Sequence, residues 1–295
     1  MVSFVEGTFQ ENNYFCDLGY CCVLIKNFLR LYCQNDINKL SNFDFLRVIE
    51  DQEFGQVGKS GGRKKGALAQ NTKIVKAIIF LLFADKLMLS YNNLFEKNSN
   101  YKIFLLNQFD ILFSEDYSLR TIKKIFVEPN YKNFIDKISL FYQKVNSIGN
   151  FIILPDLDKI DFLSSTETNT VSRKIPYSDV FLNELEKVFV SAEDKNKSLA
   201  NFVKENEVYF DSSFIDKNLY NFCVFNLLND YVDRDGRLLN EFYPHYTFID
   251  LVNNKNDEKF KALYVEYSTN YMCKVEDLIQ KRAQRILSVL EKRLG

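Results

Sequence analysis

The sequence predicts a mainly α protein: a multi-helix, bundle-like globule with one or two short extended segments near 100–113 and 148–154. Apolar residues recur at helical spacing along most of the chain. Phe at 28 residues and Tyr at 17 supply most of the bulk among the 46% hydrophobic residues, which is enough for a large aromatic core. Five of the ten glycines fall between 55 and 66, so that stretch is predicted to be a loop.

Helices are predicted before and after this glycine-rich loop. Residues 17–33 show helical spacing with Asp17 as the N-cap, and a short helix is expected over 43–50. The most apolar helix, 72–90, carries charges and is shorter than the ~20 residues that span a bilayer, so we expect a core helix.

Further helices are predicted over 118–126 and 131–146. In the second of these, one face is apolar and should be buried: Phe134, Ile138, Phe141, Tyr142 and Val145.

Two segments are candidates for extended structure. For residues 100–113 the choice between strand and helix stays open, because their apolar run is too short for its period to decide. Residues 148–155 combine β-branched bulk with flanking Gly149 and Pro155, which indicates a short strand. A polar stretch over 156–175 follows and is the predicted connector between two halves, 1–155 and 176–295.

The C-terminal half is again predicted to be helical. Helices are expected over 177–190, 197–210 and 216–231, with a turn at Asp233–Gly236. One long helix or a helical pair should cover 257–294.

Charge and cysteine usage limit the classes of function. With 38 basic against 39 acidic residues, there is no whole-molecule field to attract a polyanion or an anionic membrane. The six cysteines lack zinc or redox spacing and are expected to be reduced and buried. The first residues do not follow the order of a signal peptide, so we expect a cytoplasmic protein without a membrane partner. The sequence leaves its oligomeric state open.

The glycine-rich loop is the sharpest candidate site. Lys59, Arg63, Lys64 and Lys65 place four cations there without an acid, a pattern that suits an anion or a nucleic-acid backbone. Gly58-Lys59-Ser60 matches the end of a phosphate-binding loop, but Glu53 stands where that motif needs its first glycine. Nucleotide hydrolysis is therefore not predicted. A solvated loop without a ligand is the alternative.

Carboxylates after Pro155 provide a second candidate. Asp156 and Asp158 would share one face of an extended segment, and with a distant carboxylate such as Glu266 they could hold Mg²⁺. A solvated turn explains Asp156, Asp158 and Asp161 equally well. Under every other reading we expect no cofactor.

Two single residues matter for mechanism. His245 is the only histidine, so a two-imidazole site is excluded, although one His could still act as a general base or simply pack. Arg282 falls within the apolar stripe of the last helix, so it should be buried with a carboxylate or carbonyl partner. We predict that Arg282 ties this helix to the segment 156–161.

Two stretches carry a family resemblance: Ser147-Ile-Gly-Asn-Phe-Ile-Ile-Leu-Pro155 and Ile279-Gln-Lys-Arg-Ala-Gln-Arg-Ile286. Together they resemble the C-terminal HNH-type nuclease domain of GmrSD-like modification-dependent restriction proteins, and proteins of low-GC bacteria that share the first stretch. In that family an Asp/Glu-His-Ile core before the stretch binds the metal and activates water. Here residues 126–134 contain no histidine. The resemblance implies a related scaffold without the nuclease site, and a role in phage defence or mobile-element biology.

Three functions follow as hypotheses, and whether the protein is an enzyme stays open. The first is a non-catalytic defence or mobile-element protein that binds nucleic acid or a partner protein through the basic loop. The second is a metal-dependent nuclease built on the carboxylates named above. The third is a structural module that oligomerises through its aromatic helices.

Overall fold

α-Helices account for most of the residues that a computed structural model describes, which are 3–55, 69–87, 89, 94, 100–107, 115–156, 178–190, 197–239, 246 and 248–295. The predicted mainly α class is confirmed. The α-helices are α1 (Ser3–Tyr32), α2 (Lys73–Leu87), α3 (Glu115–Ile125), α4 (Lys132–Val145), α5 (Ser178–Val190), α6 (Lys197–Glu205), α7 (Glu207–Phe210), α8 (Leu219–Phe225), α9 (Phe248–Asn253) and α10 (Glu258–Leu294). The strands are β1 (Tyr101–Leu105) and β2 (Phe151–Pro155), which pair in a two-stranded sheet.

The chain divides into two compact units. Unit 1 combines 1–104, 146–156 and 283–295, and unit 2 combines 105–145 and 157–282. Of the predicted connector 156–175, only Asp156 lies within the described residues, so the predicted halves stay a prediction.

In unit 1, α1 packs against α2. Every side chain of α2 from Ile74 to Ala84 except Lys76 is buried, which confirms the predicted core helix. Helix α1 already includes residues 3–16, so Asp17 lies inside it and the predicted N-cap is wrong, because an N-cap needs a non-helical backbone.

The short helix predicted over 43–50 is a 3₁₀-helix, Phe45–Val48, and a second 3₁₀-helix, Ile37–Asn42, precedes it. Aspartates start both: the Asp36 carboxylate accepts from the Asn38 N–H at 3.0 Å, and Asp44 accepts from the Leu46 N–H at 3.0 Å. Both aspartates are N-caps: each accepts from an N–H of the first turn that has no partner within the helix, and so fixes where its short helix begins.

In the ambiguous segment 100–113, Tyr101–Leu105 is a strand, β1, whereas residues 108–113 lie outside the described residues. The partner strand β2 confirms the predicted extended element from Phe151 onward, and all of its residues are buried, whereas Ile148–Asn150 forms a 3₁₀-helix. The sheet's pairing continues one residue beyond β2, where the Asp156 N–H donates to the Asn100 carbonyl at 3.0 Å.

In unit 2, the predicted apolar face of α4 is buried as expected. It packs in an aromatic cluster with α3, α9 and the first part of α10; Phe126, for instance, stacks on Tyr264 with ring centroids 6.3 Å apart. Asp257 caps α10, accepting from the Lys259 and Phe260 N–H groups, and the helix is continuous to Leu294.

Two predicted helices of unit 2 are shorter than expected. The helix over 197–210 breaks at Asn206 into α6 and α7. The helix over 216–231 contracts to α8, because Asp216, Lys217 and Leu227 adopt positive φ, which an α-helix cannot contain. The predicted turn at Asp233–Gly236 is confirmed, with Gly236 at φ +81°.

Two further expectations concern cysteines and membranes. Among the described cysteines, Cys21, Cys33 and Cys223 are buried and unbridged as predicted. Against the prediction, Cys22 is only half-buried, and Cys273 is exposed because it lies on the solvent side of α10. In the described part of the chain, no helix combines the length and apolarity needed to cross a bilayer.

Candidate functional site

The four cations predicted to bind an anion, Lys59, Arg63, Lys64 and Lys65, lie outside the described residues. The chain on both sides is described, and it fixes where residues 56–68, here called the basic segment, begin and end. We call residues 51–55 and 69–73 the stem. The stem is the part of the candidate site whose geometry can be read.

Both ends of the basic segment meet at the N-terminus of α2. The Lys73 N–H donates to the Gly55 carbonyl at 3.0 Å, and the Ile74 N–H donates to the Phe54 carbonyl at 3.1 Å. On the returning side, the Thr72 hydroxyl donates to the Ala69 carbonyl at 2.9 Å. The described residues on the two sides of the basic segment therefore meet at the start of α2.

These contacts also occupy the amide groups that a helix N-terminus would offer to an anion. Beyond the two amides just described, the Val75 N–H donates to the Thr72 hydroxyl at 3.4 Å, and the Lys76 N–H donates to the Thr72 carbonyl at 3.1 Å. All four N–H groups of the first turn are thus satisfied by the protein. An anion recognised here must be met by side chains or by the basic segment itself, not by the end of α2.

Gly55 is required by close approach of the backbone. A Cβ at this position would lie 2.6 Å from the carbonyl oxygens of Asp51 and Ile49, and still closer to that of Val48. The Gly55 N–H donates to the Asp51 carbonyl at 2.9 Å, which tightens the same turn. Only glycine fits at the point where the chain enters the basic segment.

Hydrogen bonds to the Asp51 carboxylate hold residues 51–55 of the stem in place. One oxygen accepts from the Tyr32 hydroxyl at 2.5 Å, and the other accepts from the Glu53 and Phe54 N–H groups at 2.8 and 2.9 Å. Burial acts to raise the pKa of the Asp51 carboxyl, but the hydrogen bonds outweigh it and hold that pKa below its ordinary value. The same hydrogen bond, followed by burial, raises the pKa of Tyr32 to about 12.

Aromatic rings of α1 pack against the stem. Phe54 packs edge-on against Phe28 and Tyr32, with ring centroids 5.3 and 5.7 Å apart. Phe28 also stacks on Phe45, which is fully buried. Such ring pairs stabilise beyond the area they bury, so the base of the basic segment is well supported.

The stem itself is not a basic surface. Glu50 and Glu53 are exposed, and the Lys73 ammonium donates to the Gln52 carbonyl at 2.7 Å. Lys76 is half-buried, and burial lowers its pKa to about 8, so its charge is easily lost. Within the stem, Lys73 is outnumbered by Asp51 and Glu53, so most of the positive charge at this site belongs to the basic segment, which contains no acid.

The carboxylates of the nuclease hypothesis can be followed only in part. Asp156 pairs with the Lys102 ammonium at 2.8 Å, and Glu266 is exposed on α10, whereas Asp158 and Asp161 lie outside the described residues. Within the part of the chain that is described, no group of three His, Cys, Asp or Glu side chains is placed to hold a metal ion. The metal site stays a prediction, as does any role for His245, which also lies outside the described residues.

Arg282 is buried, with 1% of its surface exposed. Its Nε donates to the Asn226 carbonyl at 2.9 Å, and burial lowers the pKa of its guanidinium to about 10, while Tyr231 and Tyr209 act in the opposite direction. The predicted connection to 156–161 stays a prediction, because residues 157–161 are outside the described chain.

A buried polar network in unit 2 gave no signal in the sequence. Ser178 donates to Asn107 at 2.8 Å, and Asn107 donates to the Tyr231 hydroxyl at 2.9 Å. Burial is the main reason that the pKa of Tyr231 rises to about 12. The residues of this network are far apart in sequence. The only sequence signal for the network is therefore the presence of isolated polar residues on otherwise apolar faces.

Comparisons of the chain with protein-family models, with curated proteins and with solved structures each found no match.

Proposed function

We propose that the protein is a non-catalytic, cytoplasmic component of a bacterial phage-defence or mobile-element system, and that it binds a nucleic-acid backbone through Lys59, Arg63, Lys64 and Lys65. The observation that carries the proposal is the stem, which holds both ends of a segment with four cations and no acid. A partner protein with an acidic surface is the alternative ligand of the same segment.

The charge pattern favours a backbone contact over reading of bases. Lysine and arginine neutralise phosphates without regard to sequence, and the glycines between them let the main chain approach closely. Because the whole chain is almost neutral, attraction depends on this local charge alone. Binding should therefore be insensitive to sequence and steeply sensitive to salt.

The biological setting rests on the resemblance to GmrSD-like restriction proteins. The absence of histidine from residues 126–134 is the reason for proposing a binding protein and not a nuclease. The single histidine in the whole chain also excludes any catalytic site that needs two imidazoles.

The test is fluorescence anisotropy with labelled duplex and single-stranded DNA or RNA over a salt series. Replacing the four cations by glutamine should abolish most of the binding at low salt. In the intact protein, the logarithm of the association constant should fall linearly with the logarithm of the salt concentration. On duplex DNA the slope should be no steeper than about −3.6, if each of the four cations contacts one phosphate.

A matched control removes the same charge elsewhere. Arg120, Lys123, Lys124 and Lys132 are exposed on or beside α3 and α4. Their replacement by glutamine should leave binding nearly unchanged. Equal losses in both quadruple variants would mean that only net charge matters, and no binding by the intact protein at low salt would end the proposal.

A further inference from the structure

The end of α8 contains a conformation that its residue disfavours. Leu227 has φ +59°, in the left-handed region where a Cβ is crowded by the backbone. Helices that end this way usually place glycine at that position. The turn is closed by the Leu227 N–H on the Val224 carbonyl at 3.1 Å and the Leu228 N–H on the Cys223 carbonyl at 2.6 Å.

Arg282 holds the peptide bond next to this strained residue. Its Nε donates to the Asn226 carbonyl at 2.9 Å, and that carbonyl belongs to the peptide that joins Asn226 to Leu227. Rotation of this peptide is the movement that would take Leu227 out of the left-handed region. The hydrogen bond therefore opposes the motion that the strain favours.

The side chain of Asn226 fixes the same turn from a second side. Its Nδ2 donates to the Phe222 carbonyl at 3.1 Å and to the Tyr209 hydroxyl at 3.3 Å. Its Oδ1 is buried and, among the described residues, receives no hydrogen bond.

We infer that Arg282 is a latch: its hydrogen bond to Asn226 keeps the strained end of α8 closed, and the turn 226–228 opens when that bond is lost. The turn is then a local two-state element within unit 2, separate from the proposed binding of nucleic acid. Strain that the surroundings must hold is a feature of switching segments. An arginine that only filled space would not be coupled to the conformation of Leu227.

The first test is hydrogen exchange of backbone amides in Arg282→Met, which keeps a long side chain and removes the donor. Exchange at Leu227 and Leu228 should rise about tenfold, as expected for the loss of one hydrogen bond. Exchange at Ile138 in α4 should change much less. Lys281→Met removes a charge from the neighbouring position and should leave all three amides unaffected.

A double-mutant cycle separates a latch from general support. Leu227→Gly removes the strain, so Arg282→Met should raise exchange at Leu228 far less in the Leu227→Gly background than in the intact protein. Equal effects in the two backgrounds, or an equal rise at Ile138, would show that Arg282 merely supports the core and would overturn the inference. If Arg282→Met does not fold, Arg282→Lys is compared in the same two backgrounds and is judged by the same criterion.

Discussion

Gly55→Ala should destabilise the protein strongly, because the stem has no room for a methyl group. The added Cβ would meet two carbonyl oxygens at 2.6 Å and a third at a shorter distance, whereas ordinary contact begins near 3.4 Å. Backbone movement must make up this difference. Three hydrogen bonds lie directly in its path: Gly55 N–H to Asp51, Lys73 N–H to Gly55, and Ile74 N–H to Phe54.

Each backbone hydrogen bond contributes about 1 kcal/mol net, so weakening or losing these three should cost about 2–4 kcal/mol. Urea unfolding followed by circular dichroism measures that loss. The same variant should also bind nucleic acid more weakly, because the two ends of the basic segment are no longer held together.

Gly19→Ala is a control that makes the same chemical change with the opposite expected sign. Gly19 is exposed inside α1, and a Cβ there would have nothing within 4 Å. Alanine is favoured over glycine within a helix by about 1 kcal/mol, so this variant should be slightly more stable. If Gly55→Ala lost less than about 0.5 kcal/mol, a value ordinary for surface changes, the account of the stem would be refuted.

Two more predictions concern titratable groups. Tyr32→Phe keeps the ring contacts but removes the hydrogen bond to Asp51, so it should cost about 1 kcal/mol at neutral pH by urea unfolding. The folded-state pKa of Asp51 is lowered, so its carboxylate contributes fully to the free energy of unfolding above the ordinary carboxyl pKa. That contribution disappears as the pH falls through the folded-state pKa, and the cost of Tyr32→Phe should shrink over the same acid range. Thiol reagents should modify exposed Cys273 at once, and should reach three further thiols, whose pKa burial raises, only on unfolding: Cys21, Cys33 and Cys223.

Long periodic helices could be predicted from the sequence because a single physical rule defines them. In α4, five apolar residues at helical spacing predict one buried face, and that face is buried. Helix α2 has few polar interruptions, so burial on all sides follows directly. In α10 the apolar stripe also placed Arg282 inside, although spacing could not identify Asn226 as its partner.

Helix ends were harder to predict because they depend on contacts that are distant in sequence. Leu227 gives no local reason for a helix to stop, yet it adopts positive φ next to a carbonyl held by Arg282. Asp17 has the chemistry of an N-cap, but the preceding residues are helical. At the candidate site, composition predicted the charge, whereas the closed stem depends on Gly55 and Phe54 meeting the start of α2.

The affinity for nucleic acid is limited, because the proposed contact has only four cations and the whole protein is almost neutral. With a slope of at most about −3.6, a fourfold rise in salt weakens binding by roughly a hundredfold, so the basic segment alone would bind poorly at physiological ionic strength. The satisfied N-terminus of α2 adds no further anion contact. A second attachment, to a partner protein already on the nucleic acid, would raise the effective concentration of the segment and restore occupancy. If such a partner exists, adding it should flatten the salt dependence of binding measured for the isolated chain.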